Sequence, residues 1–260
     1  MRLNQQTIQL KAMRALLCAT AVFAQPYGMA QSGGLATKTG VQVGLSLSDY
    51  KYEEPSFMTL KAKKIGLDYS GTYVMGAEWP NPENAWFLRG DLQYSTGKAD
   101  YRSPISGALN GTTDWYFEAR SLVGRDYNMG SYLLAPYIGL GFRHLLNDVG
   151  YQRESNYTTL PIGVTHKMRL SDQSQLLTTV EYMHLIRGVQ HTKLALQSVS
   201  LVQHSGYGLR LGVMKRFDTW SIGPTLTYWH MGPSDVGGQP PVIEPKNTTY
   251  ELGFKGVYHF

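Results

Sequence analysis

Cysteine, charge and long apolar runs are all scarce in this sequence, and each shortage excludes a class of protein. Cys18 is the only cysteine among 260 residues, so a framework of intrachain disulfides is impossible. Charged residues make up 17%, yet the 42% of apolar residues is too many for an intrinsically disordered chain. From residue 31 onward, no apolar run approaches the roughly 18 residues that a membrane-spanning helix needs.

The chain begins with a segment typical of an export signal. A basic stretch without acids leads into an apolar run of about ten residues, Ala15–Ala24, which is the usual length of a signal core. Small residues then provide a cleavage site after Ala30. We therefore predict a cleaved signal peptide at 1–30 and a mature domain at 31–260, with Met13 as an alternative start.

Cleavage after Ala30 changes the chemistry available to the mature chain. It removes Cys18, so the mature chain has no thiol chemistry. It also removes three basic residues and no acid, which leaves 21 basic and 19 acidic residues and a net charge of +2. A charge so close to neutrality gives no support for nucleic-acid binding, and we predict none.

Apolar and polar residues alternate along the mature chain in segments of about ten residues. This period of two is typical of strands with two unlike faces, and in a membrane barrel the apolar face contacts lipid while the polar face lines the lumen. The predicted strands are Val41–Tyr50, Lys61–Met75, Trp86–Ser95, Trp115–Arg125, Leu134–Arg143, Thr158–Leu170, Leu176–Ile186, Tyr207–Phe217, Trp220–Tyr228 and Thr248–Phe260. We predict an all-β fold, a transmembrane antiparallel up-and-down β-barrel of about ten strands, or eight if weaker segments such as the first and seventh do not span.

The connections between these segments alternate between short and long. The short ones are 128–131, 171–175 and 218–219, with 76–85 as a longer member of the same set. The long polar ones are roughly 51–60, 97–114, 145–157, 187–205 and 231–247. Short periplasmic turns and long external loops are typical of strands that pass up and down through an outer membrane.

The last segment carries the most specific pattern. It is an amphipathic strand that ends in an aromatic residue, with Tyr250, Phe254, Tyr258 and Phe260 on its outward face. The chain resembles the family of small bacterial outer-membrane β-barrels, through the alternation of the whole mature chain and through this terminal strand. The resemblance implies an integral outer-membrane protein in contact with lipid and lipopolysaccharide. It also implies that the barrel-assembly machinery reads these four aromatic residues as an insertion signal.

Charged residues occupy the face that is predicted to line the lumen. The basic members are Lys64, Arg89, Arg120, Arg143, Lys167, Arg169, Arg210, Arg216 and Lys255, and the acidic members are Asp68, Asp91, Glu118, Glu181 and Glu251. A ten-stranded barrel is narrow, so opposite charges inside it should pair and fill the space. This predicts a lumen largely plugged by ion pairs. The excess of basic residues leaves a second interpretation open, a narrow porin-like channel with a mild preference for anions.

Lys61 and Lys63 fall on the lipid-facing side of the second predicted strand, near its external end. Lysine is costly at the bilayer centre but tolerated at the interface, where the phosphates of lipopolysaccharide are suitable partners. One interpretation is therefore contact with lipopolysaccharide. The other is that the strand starts at Lys64 and both lysines are solvated.

No motif supports an enzyme. Omptin-like proteases are ten-stranded barrels with Asp and His residues around a rim cleft, and the residues near the predicted external rim here are His144, Asp148, His191, His204 and His230. No adjacent acid accompanies Asp148, however. A site like that of a lipid A deacylase needs His and Ser two positions apart, whereas His204 and Ser205 are adjacent. We find no spacing typical of metal ligands, a phosphate loop or a nucleophile elbow, and we predict no catalytic residue, metal or cofactor.

The sequence therefore favours a structural or narrowly permeable outer-membrane barrel that is not an enzyme. Two alternatives remain open. One is an adhesin or receptor that acts through the long external loops, and the other is an omptin-like hydrolase with its site at the rim.

Overall fold

The computed structural model describes residues 34–75, 84–193 and 197–260, and strands account for most of them. The strands are β1 (Gly40–Glu54), β2 (Met58–Met75), β3 (Trp86–Ser103), β4 (Gly107–Arg125), β5 (Tyr127–Asn128), β6 (Tyr132–Asp148), β7 (Gln152–Arg169), β8 (Gln175–Lys193), β9 (Ser198–Gln203), β10 (Gly206–Arg216), β11 (Trp220–Met231) and β12 (Asn247–His259). Within these ranges no helix is long and apolar enough to cross a bilayer. The predicted signal peptide at 1–30 lies outside the described residues.

Ten of the strands close into an antiparallel barrel. Neighbours along the chain pair in turn, and the ring is completed by β12 against β1 and by β8 against β10. β5 pairs only with β6, and β9 forms a hairpin with the far end of β8. The predicted transmembrane up-and-down barrel of ten strands is confirmed. The eight-strand alternative is wrong, because β1 and β8 are paired along both edges.

The two ends of the barrel differ in how far the strands extend and in the connections between them. We call the end where β1 begins and β12 finishes the terminal end. At the opposite end, the hairpin end, β1–β2, β3–β4 and β6–β7 are each joined by only three residues. Long loops were expected at these three places, and that prediction is wrong. The strands continue beyond the predicted spans and remain paired up to their tips, as Glu54 does with Met58 and Ser103 with Gly107.

The outer surface changes from apolar to charged along β2. From Ile65 in the middle of the strand to Tyr73 near the terminal end, the outward side chains are apolar or aromatic, and these two are 54% and 57% exposed. Closer to the hairpin end, Lys61 and Lys63 occupy the outward positions, while Leu60 points inward and is fully buried. An apolar outer face suits hydrocarbon and a charged one suits water. The change from apolar to charged side chains on the outer face therefore marks the edge of the bilayer, and the hairpin end projects beyond that edge.

Aromatic side chains follow both edges of the apolar band. On the hairpin side, a ladder from four adjacent strands has ring centroids 4.9–6.1 Å apart and consists of Tyr182, Tyr207, Tyr228 and Tyr250. On the terminal side, the rings of Phe217 and Trp220 stack at 4.0 Å. Two aromatic girdles of this kind are characteristic of transmembrane barrels.

Three apolar clusters occupy parts of the interior. The terminal cluster consists of Val74, Phe87, Leu122, Leu133, Ala135 and Tyr137. The middle cluster consists of Tyr116, Leu145, Tyr157, Met183, Leu185, Trp229 and Met231. The hairpin cluster consists of Tyr50, Tyr52, Met58, Leu60, Ala62, Ala99, Tyr101 and Val149. Glycine makes room for the middle cluster at Gly208, where an added Cβ would lie 2.7 Å from atoms of both Met183 and Trp229.

Candidate functional site

Five charged side chains meet at the centre of the lumen and form what we call the central cluster. Glu118 accepts hydrogen bonds from Arg143 Nη1 at 3.1 Å and from Arg210 Nη2 at 2.7 Å. Glu181 accepts from Arg120 Nη1 at 2.8 Å and from Arg210 Nη1 at 3.0 Å. The two glutamates are only 4% and 1% exposed. Each buried carboxylate therefore lies between guanidinium groups that compensate its charge.

Contacts to β3 and β6 extend the central cluster. Arg120 Nη2 also donates to Asp91 Oδ2 at 2.7 Å, and Asp91 accepts a second hydrogen bond from Arg89 Nε at 3.2 Å. The hydroxyl of Tyr137 donates to Glu181 at 2.8 Å. These contacts connect the strands around the lumen to one another. Separating two of the strands would leave a buried charge uncompensated, which is unfavourable.

Two further acids face the lumen beside the central cluster. Asp68 accepts a hydrogen bond from Lys255 Nζ at 2.6 Å. Glu251 accepts from the hydroxyls of Tyr116 at 3.0 Å and Ser48 at 2.7 Å. The charged residues of β12 are thus bound to β1, β2 and β4 across the barrel.

Lys64 lies closer to the hairpin end and pairs with an acid that the sequence analysis did not assign to the lumen. Its ammonium donates to Asp114, and the other carboxylate oxygen of Asp114 accepts from Asn147. Both charged side chains are almost fully buried. Asp114 was missed because it stood at the end of a predicted external loop.

Three predicted members of the lumen charge network stand apart at the terminal end. Lys167 lies 3.5 Å from Asp126, and Arg216 lines the lumen without a carboxylate at ion-pair distance among the described residues. The assignment of Arg169 to the network is wrong. It occupies the last position of β7, where the barrel wall ends, and its side chain is exposed at the rim.

A second buried charged group, the hairpin-end cluster, lies outside the apolar band. Arg153 Nη2 donates to Glu54 Oε1 at 2.5 Å and also to Glu244. The Tyr52 hydroxyl donates to Glu54 at 2.7 Å, and Gln190 donates to Glu244. One guanidinium therefore serves two buried carboxylates.

Glu244 holds the connection between β11 and β12 in place. Its backbone exchanges hydrogen bonds with Ser234, and Asp235 N donates to Val202 O of β9 at 2.9 Å. Burial raises the pKa of Glu244 to about 7, against the opposing effect of Arg153 and with the help of the nearby charge of Glu54. The position of this connection therefore depends on a carboxyl group that titrates near neutrality.

A cavity of about 360 Å³ extends from the terminal end to the central cluster. Arg89, Arg120 and Arg210 line its inner part, and Arg216 and His259 line its outer part. Toward the hairpin end the cavity is bounded by the middle cluster, whose members are at most 7% exposed. The arrangement can attract anions from one end of the barrel, while apolar side chains occupy the path to the other.

The predicted outward residues lie on the outer surface. Lys61 and Lys63 are exposed, and in the register of the sheet Lys61 lies between Lys51 and Asp100 while Lys63 lies between Asp49 and Lys98. The aromatic residues of the terminal strand point away from the lumen, with exposed fractions of 48–75% for Tyr250, Phe254, Tyr258 and Phe260. Recognition of these residues by the assembly machinery stays a prediction.

The histidines near the hairpin end do not converge on one cleft. His204 Nε2 lies 2.9 Å from Asp235 Oδ2, but the two side chains are 68% and 65% exposed. His191 contacts Ser200, and His230 packs against the Tyr207 ring in the aromatic girdle. In the part of the chain that the structure describes, no group of three or more His, Cys, Asp or Glu side chains is arranged to hold a metal.

Comparison with known proteins supports the fold and no particular activity. The sequence matches no protein-family model and no curated protein. The outer-membrane protease OmpT from Escherichia coli is similar in structure with a TM-score of 0.51 at 9% identity, over 91% of this chain and all of that one. The translocator domain of the autotransporter NalP from Neisseria meningitidis gives a TM-score of 0.42 at 12% identity, over 97% of this chain and 98% of that one. The chain thus has the fold of the general class of small outer-membrane β-barrels.

Proposed function

We propose that the chain is an integral outer-membrane barrel with a structural role, and that its lumen does not conduct solutes. The observation that carries this proposal is the succession of the central cluster, the middle cluster and the hairpin cluster along the barrel axis. The middle cluster alone draws side chains from β4, β6, β7, β8 and β11. Side chains packed in this way leave no continuous path for water. On this reading, the terminal end faces the periplasm and the hairpin end faces outward.

Proteoliposomes containing the folded chain should exclude small sugars as well as empty liposomes do. The Met183→Ala, Trp229→Ala double variant, which removes two large side chains from the middle cluster, should raise the rate of liposome swelling. Leu252→Ala, which shortens a lipid-facing side chain that is 59% exposed, is the control and should leave the rate unchanged. Sugar uptake by the wild-type chain at the rate of the double variant would contradict a closed lumen.

We also propose that the outer surface of the barrel contacts lipopolysaccharide. Lys51, Lys61, Lys63 and Lys98 stand on three adjacent strands and outnumber Asp49 and Asp100, which line the same shallow depression together with Tyr250 and Leu252. Ammonium groups directly above an apolar band can bind the phosphates of lipopolysaccharide while the acyl chains cover the band.

Alanine at both Lys61 and Lys63 should reduce the lipopolysaccharide that co-purifies with the barrel, because two of the clustered charges are lost. The matched control is alanine at Lys193 and Lys246, which are also exposed but lie further toward the hairpin end. Quantifying bound phosphate and fatty acid after purification measures the effect. Equal retention in the two double variants would argue against a specific contact.

A further inference from the structure

Within the described part of the chain, Arg216 is an inward-facing base without a carboxylate at ion-pair distance. It is the last residue of β10 and faces the cavity at the terminal end. The other inward-facing bases described above each contact an acid, whereas no side-chain carboxylate of the described residues lies within ion-pair distance of Arg216. Asp218, two residues away, is exposed on the turn to β11; its charge acts on Arg216, but the two side chains are not within ion-pair distance.

Two other nitrogen-bearing side chains face the same part of the cavity, and the charge of Arg216 acts on both of them. Lys167 Nζ donates to Thr37 Oγ1 at 2.6 Å, and its nearest acid, Asp126, also accepts two hydrogen bonds from Thr37. His259 Nε2 contacts Ser221 Oγ at 3.0 Å, while its buried Nδ1 has no partner. This end of the cavity therefore combines an unpaired guanidinium, an ammonium with a shared acid and an unsatisfied imidazole nitrogen.

These groups are matched by one kind of ligand. A partly buried charge without a counterion is unfavourable, and an oxyanion would satisfy it with paired hydrogen bonds to the flat guanidinium. The cavity volume of about 360 Å³ admits a small molecule. We propose that the terminal-end part of the cavity binds a small oxyanion, a carboxylate or a phosphate, with Arg216 as the principal contact and Lys167 and His259 as additional donors.

Titration of the folded full chain in detergent micelles with inorganic phosphate, and separately with acetate, tests the site. Calorimetry at constant ionic strength, with chloride as the reference salt, should show saturable binding of one equivalent of at least one of the two anions. The anion that binds more tightly identifies the ligand class. No saturable binding of either anion to the folded chain would overturn the proposal.

Arg216→Gln should lower the affinity for the anion roughly tenfold or more, which is the usual effect of losing a charge-assisted hydrogen bond. Arg216→Lys keeps the positive charge but loses the paired N–H donors of the guanidinium, so its affinity for the anion should lie between those of the wild-type chain and Arg216→Gln. This variant also preserves the test if Arg216→Gln fails to fold. Arg169→Gln is the matched control, since this arginine is at the same end but exposed at the rim. An equal loss in Arg169→Gln would show diffuse attraction and would refute a site at Arg216.

Discussion

Replacing Arg153 by methionine should free the connection between β11 and β12 while the barrel stays closed. The substitution leaves Glu54 and Glu244 buried without a cation, and breaking a buried ion pair in this way costs about 3–5 kcal/mol. Moving Glu244 into water relieves that cost, and Glu244 is the residue that anchors the connection. Hydrogen exchange should therefore accelerate at residues 232–246 and remain slow in the strands within the bilayer.

Two comparisons separate this effect from a general loss of stability. Arg102→Met is the control, because Arg102 donates only to the backbone carbonyls of Tyr101 and Leu109 at an exposed tip. The second comparison is between pH values, because the pKa of Glu244 is raised in the folded protein. A group whose pKa is raised by folding favours the folded form below its unfolded pKa and loses that contribution as pH rises through its folded pKa. Protection of the connection, corrected for intrinsic exchange, should thus fall as pH rises through about 7, and Glu244→Gln should abolish this dependence.

Replacing Glu118 by glutamine should destabilise the barrel more than any exposed charge change. Glu118 lies within ion-pair distance of Arg120, Arg143 and Arg210, so the isosteric neutral side chain leaves three guanidiniums to one remaining glutamate of the central cluster. We expect a loss of about 3–5 kcal/mol in the free energy of unfolding. Urea unfolding in lipid vesicles, followed by tryptophan fluorescence, measures it.

Glu154→Gln is the matched control for Glu118→Gln. Glu154 pairs with Lys193 on the outside of the hairpin end, where the side chains are 28% and 57% exposed. Solvent-exposed pairs contribute about 0–1 kcal/mol. If the two variants lost similar stability, the central cluster would not be a structural element of the lumen.

The strands within the bilayer were predictable because two solvents of opposite character act on their two faces. Lipid outside and a polar lumen inside force a strict alternation, so β10 and β12 were located to within a residue or two at each end. The inward direction of Glu118 and Arg210 followed from the same parity. Their partners on other strands could not be assigned, because pairing across the barrel depends on stagger and tilt that no single strand encodes.

Beyond the bilayer the sequence was misread as loops for a physical reason. Water replaces lipid outside the wall, so the alternation inverts and apolar side chains turn inward, as Tyr50 and Tyr52 do in β1. When apolar residues are expected on the outer face throughout, the inverted pattern looks like the end of the strand. Glu54 and Arg153 were missed in this way, whereas Glu244 lies in the connection between β11 and β12, where no alternation marks it. Continued parity through Tyr50, Tyr52 and Glu54 was the signal that could have revealed the first of them.

The closed lumen is tested most directly by single-channel recording of the refolded chain in planar bilayers. We expect no discrete conductance steps from wild-type barrels whose folding is verified independently, and steps from the Met183→Ala, Trp229→Ala variant. Reproducible steps from the wild-type chain, with an ion selectivity that changes in Arg210→Ala, would show that the central cluster lines a working pore and would contradict a closed lumen.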